Sequence, residues 1–226
     1  QQNLYDVIVE NNYSESLGGG LYSNGGQVNA LNVSFSHNYS MVHGGGVFLN
    51  GLQGQISNSF IIGNETDWTG GGAYLGQTEI SMTNVMIADN ISSGSGSGIY
   101  IYVSNIEWVT LQLNNVNVVN NTSSGGQGGG ICYSMNYTEE VDHTHSIVNS
   151  IIWGNQPQQI DSEINGGGGS PDSLIIAYSD IQDGSEIALE DVIISLLDGT
   201  IDEDPLFTLT EGDYNLQGGS PCIDTG

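Results

Sequence analysis

The sequence predicts an all-β chain wound as a right-handed parallel β-helix, a solenoid of ~26-residue coils, on three observations. Glycine clusters begin at Gly18, Gly44, Gly70, Gly96 and Gly128, at intervals of 26, 26, 26 and 32. Two columns of asparagine keep the same beat: Asn32, Asn58, Asn84, Asn115 and Asn149, then Asn38, Asn64, Asn90, Asn121 and Asn155 six residues later. Between them lie short β-branched runs broken by Gly, Asn and Ser, with no helical period in the first 160 residues.

One unit shows the elements in order. "GGGVFLN" opens with a glycine corner and enters a strand, "GLQG" turns, and "QISNSFIIGN" is a second strand run. A unit of 26 residues is too short for a four-stranded propeller blade. It suits a three-sided coil in which each strand pairs with its copy in the next coil. At ~4.8 Å between paired strands, about nine coils make a rod on the order of 40 Å long. The chain is read as a single domain, 1–226, with regular coils over 1–160 and irregular final coils plus a C-terminal cap over 161–226. Within that cap only "SEIALEDVIISLLDG" could be helical, and its β-branched apolar residues leave helix and strand both open.

The asparagines have two competing explanations. Identical amides stacked one per coil can hydrogen-bond down the rod as a ladder. Against this, Asn38, Asn64, Asn90 and Asn121 each open an N-x-S/T sequon, which would make them a glycan column. Sugar chains about every ~5 Å would crowd one another, so the ladder is preferred. The hydroxyls of Ser40, Thr66, Ser92 and Ser123 would then serve the following turn. Asn12 and Asn136, placed off the column, are the better glycan candidates. The glycine triplets supply a sharp corner and close backbone approach. They lack the strand-to-helix setting of a phosphate-binding loop and do not match a calcium-wrapping nonapeptide.

Composition excludes whole classes of partner. The chain has 26 Asp and Glu, no Lys, no Arg and four His, a formal charge of −26. Nucleic-acid binding needs cations against phosphate, and polybasic attraction to anionic lipid fails on the same ground. No apolar run approaches the ~20 residues of a membrane span, so no membrane insertion is expected. With 37% apolar residues the chain is not a disordered acidic tail.

Certain strings carry a resemblance. "GGGVFL" with "FSHN", and "GGGAYL" with "IIGN", look like the repeats of polymorphic outer-membrane-protein β-helices. "SIIWGN", "AYSDIQDG", "IDEDPLF" and "GDYNLQGGSPCIDTG" are similar to the last coils of secreted bacterial choice-of-anchor β-helix proteins. The resemblance implies an extracellular or cell-surface protein of adhesive character, in a group where an anchoring segment follows such an end.

The fold also hosts polysaccharide enzymes, but fold alone does not give activity. A lyase resembling the pectate type would use an Arg or Lys base, and none exists here. A glycosidase needs only two carboxyls; Asp202, Glu203 and Asp204 could be cast so, but read more simply as a solvated turn.

The period breaks in one place. From glycine cluster to the following inner asparagine the distance is 20 residues three times, then 25 and 27. Inserts therefore occupy the same arm of consecutive coils, near residues 103–109 and 134–145, where repeat proteins carry binding loops. Glu107, Trp108, Tyr133 and Tyr137 are the ligand-patch candidates, the aromatic rings for stacking on sugars. Glu139, Glu140, Asp142, His143 and His145 are the metal candidates, and His143 and His145, two apart on a strand, would share a face. No cofactor is assigned outright; Ca²⁺ is the ion so anionic a surface would take. Cys132 and Cys222 could form one disulfide, or Cys132 could pack in the place that Tyr22, Phe48 and Tyr74 hold in earlier coils.

The expected function is a non-catalytic extracellular structural or adhesive protein. Open rod ends would allow a head-to-tail homopolymer, a filament whose like-charged junctions need divalent cations. The alternative is a carbohydrate-binding or carbohydrate-active protein, with glycans as partners.

Overall fold

The computed structural model describes residues 1–104, 109–136, 143–164, 171–208 and 214–223. It is all-β, and the repeats stack in parallel. Among the described residues 14 strands join one sheet and five two-residue strands join a second. Each strand pairs with the strand one repeat on: Leu21 faces Val47, which faces Ala73, then Ile99, Ile131 and Ile160. A second line runs from Ala30 to Ile56, Met82, Leu113, Ile147 and Ile176. The 16-residue strand Val47–Ile62 pairs with Ala73–Gly76 along its first part and Glu79–Ala88 along its second, so one sheet curls around the core. The inward residues of both lines are the core, with Leu49, Ile56, Leu75, Met82, Ile101 and Leu113 essentially without solvent contact.

Corners come from residues that tolerate left-handed backbone. One column of positive φ is Asn11, His37, Gly63, Asp89, Asn120 and Gly154; another is Asp6 followed by Asn32, Asn58, Asn84, Asn115 and Asn149. Asn and Asp accept this conformation because a short polar side chain can bond locally. The outer asparagine column is thus a backbone device before it is anything else. Its amides also bond between coils: Asn32 donates to Asp6 at 3.0 Å, Asn84 to Asn58 at 2.9 Å and Asn115 to Asn84 at 2.7 Å. After the insert the register slips, and Asn149 donates to Asn114 at 3.2 Å.

The inner column is buried. Asn64, Asn90 and Asn121 have no solvent exposure, and Asn38 and Asn155 almost none. Each Nδ2 donates to the next coil's Oδ1: Asn38 to Asn64, Asn64 to Asn90, Asn90 to Asn121 and Asn121 to Asn155, at 2.8–3.0 Å. Its other proton goes to a backbone carbonyl of the preceding coil, as from Asn64 to Phe35 O at 2.9 Å. Each Oδ1 also accepts a backbone N–H, as Asn64 does from Asn38 N at 3.0 Å. All four hydrogen-bond positions of the amide are filled. Asn12, placed off the column by sequence reasoning, is its first rung and donates to Asn38 at 2.9 Å.

The glycine triplets belong to the same device. A Cβ on Gly46 would come 2.9 Å from Asn64 Nδ2 and 2.6 Å from Gly72 O. Any side chain there would push the amide out of line. The sequon hydroxyls serve the turns: Ser40 meets Thr66 at 3.0 Å, Thr66 donates to Val42 O at 3.1 Å and Ser92 to Gly94 O at 2.6 Å.

The ladder ends inside the protein. Asn155 donates to Gln159 Oε1 at 2.8 Å, and Gln159 Nε2 spends its protons on Asn155 O and Gln182 Oε1. The stretch that could have been helical is a 3-10 turn, Gly184–Glu186, and then a strand, Val192–Leu196, pairing with Asp172–Ala177. Its β-branched run of Val192, Ile193 and Ile194 favours the strand.

Asn64→Ala should strand Asn38 N–H and Nδ2–H and Phe35 O at once, at about 1–3 kcal/mol per stranded group, and so cost several kcal/mol in urea unfolding. Asn12→Ala, at the exposed first rung, should cost well under about 1 kcal/mol. Equal losses for the two would mean that the column carries no special stability.

Candidate functional site

The most unusual chemistry lies in the core beside the second insert. His143 and His145 point inward from the strand around Thr144–Val148, and Tyr133 and Asp172 come from neighbouring strands. Tyr133, His145 and Asp172 have no solvent contact and His143 almost none. His143 Nδ1 lies 2.8 Å from Asp172 Oδ1, which also accepts the His143 backbone N–H at 3.2 Å. His145 Nε2 faces Asp172 Oδ2 at 3.5 Å, an ion-pair contact too long for a good hydrogen bond. Leu111 N–H donates to His145 Nδ1 at 3.1 Å, so the neutral ring carries its proton on Nε2, toward the carboxylate. The Tyr133 ring packs 5.0 Å from the His145 ring.

Burial alone would raise the Asp172 pKa, but its contacts with His143 and His145 outweigh it. The carboxyl is held below its ordinary value. Tyr133 is pushed up by burial and then by Asp172, so it stays a phenol. In a chain without Lys or Arg, histidine is the side-chain cation available to a buried carboxylate. The group is a polar core cluster sealed from solvent, in which Tyr133 Oη, His145 Nε2 and Asp172 Oδ2 lack hydrogen-bond partners.

This corrects several expectations. Tyr133 is not a sugar-stacking ring, since its face and edge are inside the core. His143 and His145 share a face as expected, and that face is the interior, where both rings approach Asp172. Among the described residues no group of three or more His, Cys, Asp or Glu side chains is arranged to hold a metal ion. Glu107, Trp108, Tyr137, Glu139, Glu140 and Asp142 lie outside the described residues.

The flanks of the inserts are described. Ile99–Ser104, before the first, pairs with Ile131–Asn136, before the second; Thr110–Val119 and Thr144–Val148, which follow them, also pair. Both inserts thus leave the same corner of adjacent coils. The connection 165–170 leaves that corner too, because its flanking strands Ile160–Ile164 and Asp172–Ala177 extend both lines. Sequence reasoning missed it, since the glycine-to-asparagine count stops at Asn155.

The cysteines are free. Cys132 sits fully buried in the line of Tyr74 and Tyr100, while the Cys222 thiol donates to Asp180 Oδ2 at 2.9 Å. Cys132 lies in strand Ile131–Asn136 and Cys222 in a turn beside Asp180, and the two are not bridged. Burial, then the Asp180 contact, pushes Cys222 up to about 12, so it remains a thiol at neutral pH. Burial above all raises Asp180, with Asp202 and Glu203 adding to it. This pair borders a cleft of about 430 Å³ lined also by Ser150, Tyr178 and Ile201. Asp202, Glu203 and Asp204 are exposed at the turn, where Asp204 accepts Leu206 N–H at 2.9 Å. Asn136 is exposed, with its amide on Tyr102 Oη at 3.0 Å.

The stacked rings Tyr22, Phe48, Tyr74 and Tyr100, with centroids 4.7–5.4 Å apart, spend their faces on one another. They form an aromatic ladder rather than a sugar platform. No protein-family model, curated protein or solved structure matches the chain.

Asp172→Asn should cost on the order of 3 kcal/mol at neutral pH by taking the anion from the histidine pair. Because Asp172 is depressed in the fold, its contribution is present above the unfolded value of 3.8 and is lost as pH falls through the lower folded value. Acid melts of the variant should lack that component; identical acid limbs would count against it. Thiol titration should find two free thiols after unfolding and none at Cys132 in the native protein.

Proposed function

We propose that the chain is a right-handed parallel β-helix and acts outside the cell as a non-catalytic structural or adhesive protein. The observation that carries this reading is the amide ladder, unbroken from Asn12 and buried from Asn38 to Asn155. Such a core gives a stiff rod, and stiffness is what a spacer or display scaffold needs. Two carboxylates shifted by their surroundings are held by structural partners. Asp172 is sealed in the core with histidines, and Asp180 is held by Cys222 and the Glu203 N–H.

The resemblance to polymorphic outer-membrane-protein repeats and choice-of-anchor β-helices supports surface location. At the C-terminal end of the ladder Gln159 and Gln182 take up the last donors, which disfavours continuing the ladder from that end into a second chain. The contact face is the corner where the inserts leave adjacent coils. A formal charge of −26 favours neutral or cationic partners, with Ca²⁺ the ion that would bridge to anionic ones.

Binding of the intact chain to host-cell or bacterial surface glycans and proteins should be abolished when both inserts are shortened to the length of the regular coils. The shortened chain should keep its cooperative unfolding. Full binding after shortening would remove the contact face, and hydrolysis of a polysaccharide by the intact chain would remove the non-catalytic reading.

A further inference from the structure

Eight asparagines of this chain open an N-x-S/T tripeptide, and four of them, Asn38, Asn64, Asn90 and Asn121, are rungs of the inner ladder. We infer that N-glycan transfer to these four and folding of the chain exclude each other, so the protein is made by a route without asparagine-glycan transfer ahead of folding. Transfer forms a bond from Nδ2 to the sugar's anomeric carbon, breaks that carbon's bond to its phosphate-linked carrier and releases one amide proton. Both protons of each amide are already in use. Asn90, for example, donates to Asn121 Oδ1 and to Ile61 O, each at 2.9 Å.

Space is as restrictive as bonding. The four residues are 0–1% exposed. A single methyl on Gly72 would already stand 3.0 Å from Asn90 Nδ2, and one on Gly46 2.9 Å from Asn64 Nδ2. A sugar has no path outward, since the amide is roofed by the glycine corner and walled by coils on either side. The chain has no way to swing one rung out alone, because each Oδ1 also holds a backbone N–H of the coil before it. The fold therefore reads a sequon, a signal for modification, as a structural rung.

The test uses the unaltered chain, secreted from a eukaryotic host with its oligosaccharyl transferase active or inhibited. Protease-resistant protein is recovered, and glycan occupancy at each asparagine is read by mass spectrometry. Inhibition should raise the resistant yield several-fold. With the transferase active, glycans at the four positions should occur only in the protease-sensitive fraction. Resistant molecules carrying a glycan at any of the four would overturn the inference, and so would equal resistant yields in the two arms.

Discussion

Everything in this structure depends on placing one polar amide per coil inside the core and leaving none of its hydrogen-bonding capacity unused. A buried amide with a missing partner costs far more than a satisfied one returns. Here every amide from Asn38 to Asn121 gives two bonds and accepts two. The consequence is register. A coil that slipped by one residue would misplace its amide relative to both neighbours, so the ladder aligns strands that β-branched packing alone would leave free to slide. The glycine corner follows from it, because the third glycine of the cluster is the only residue that leaves room for the amide of the same coil.

A second constraint is electrostatic. A chain with no Lys or Arg cannot neutralise its carboxylates with the usual partners. Most are left in solvent, where repulsion is screened. Those taken inside are handled by other means: Asp172 by two histidines, and Asp180 by a thiol and a backbone N–H. Both solutions lie in the later coils, where the repeat is irregular. The regular coils bury amides and hydroxyls instead, which need no counter-charge.

The irregular coils show how the ladder tolerates change. Longer connections leave one corner while the strand lines on either side stay paired. The inner ladder passes them without a gap, whereas the outer column shifts from Asn115 to Asn114. The difference is burial. An exposed amide can exchange a partner for water at little cost, and a buried one cannot.

The sequence by itself determined the parallel stacking, the repeat, the inward burial of the inner asparagines and the corner from which the inserts leave. Those features recur once per coil, and a period reports any side chain whose environment is the same in every coil. Tertiary structure alone decided what happens once. Asn12 looked like a surface sequon because no coil before it set its register, yet it meets Asn38. Gln159 ends the ladder from four residues beyond Asn155, off the repeat. His143 and His145 looked like loop ligands because their partner, Asp172, is 29 residues from His143 and belongs to the next coil. Cys132 and Cys222 looked like a pair by count, but the fold leaves both thiols free, with Cys222 turned onto Asp180. A single contact between distant residues leaves no periodic trace in a sequence, and its existence depends on distances that only the folded chain supplies.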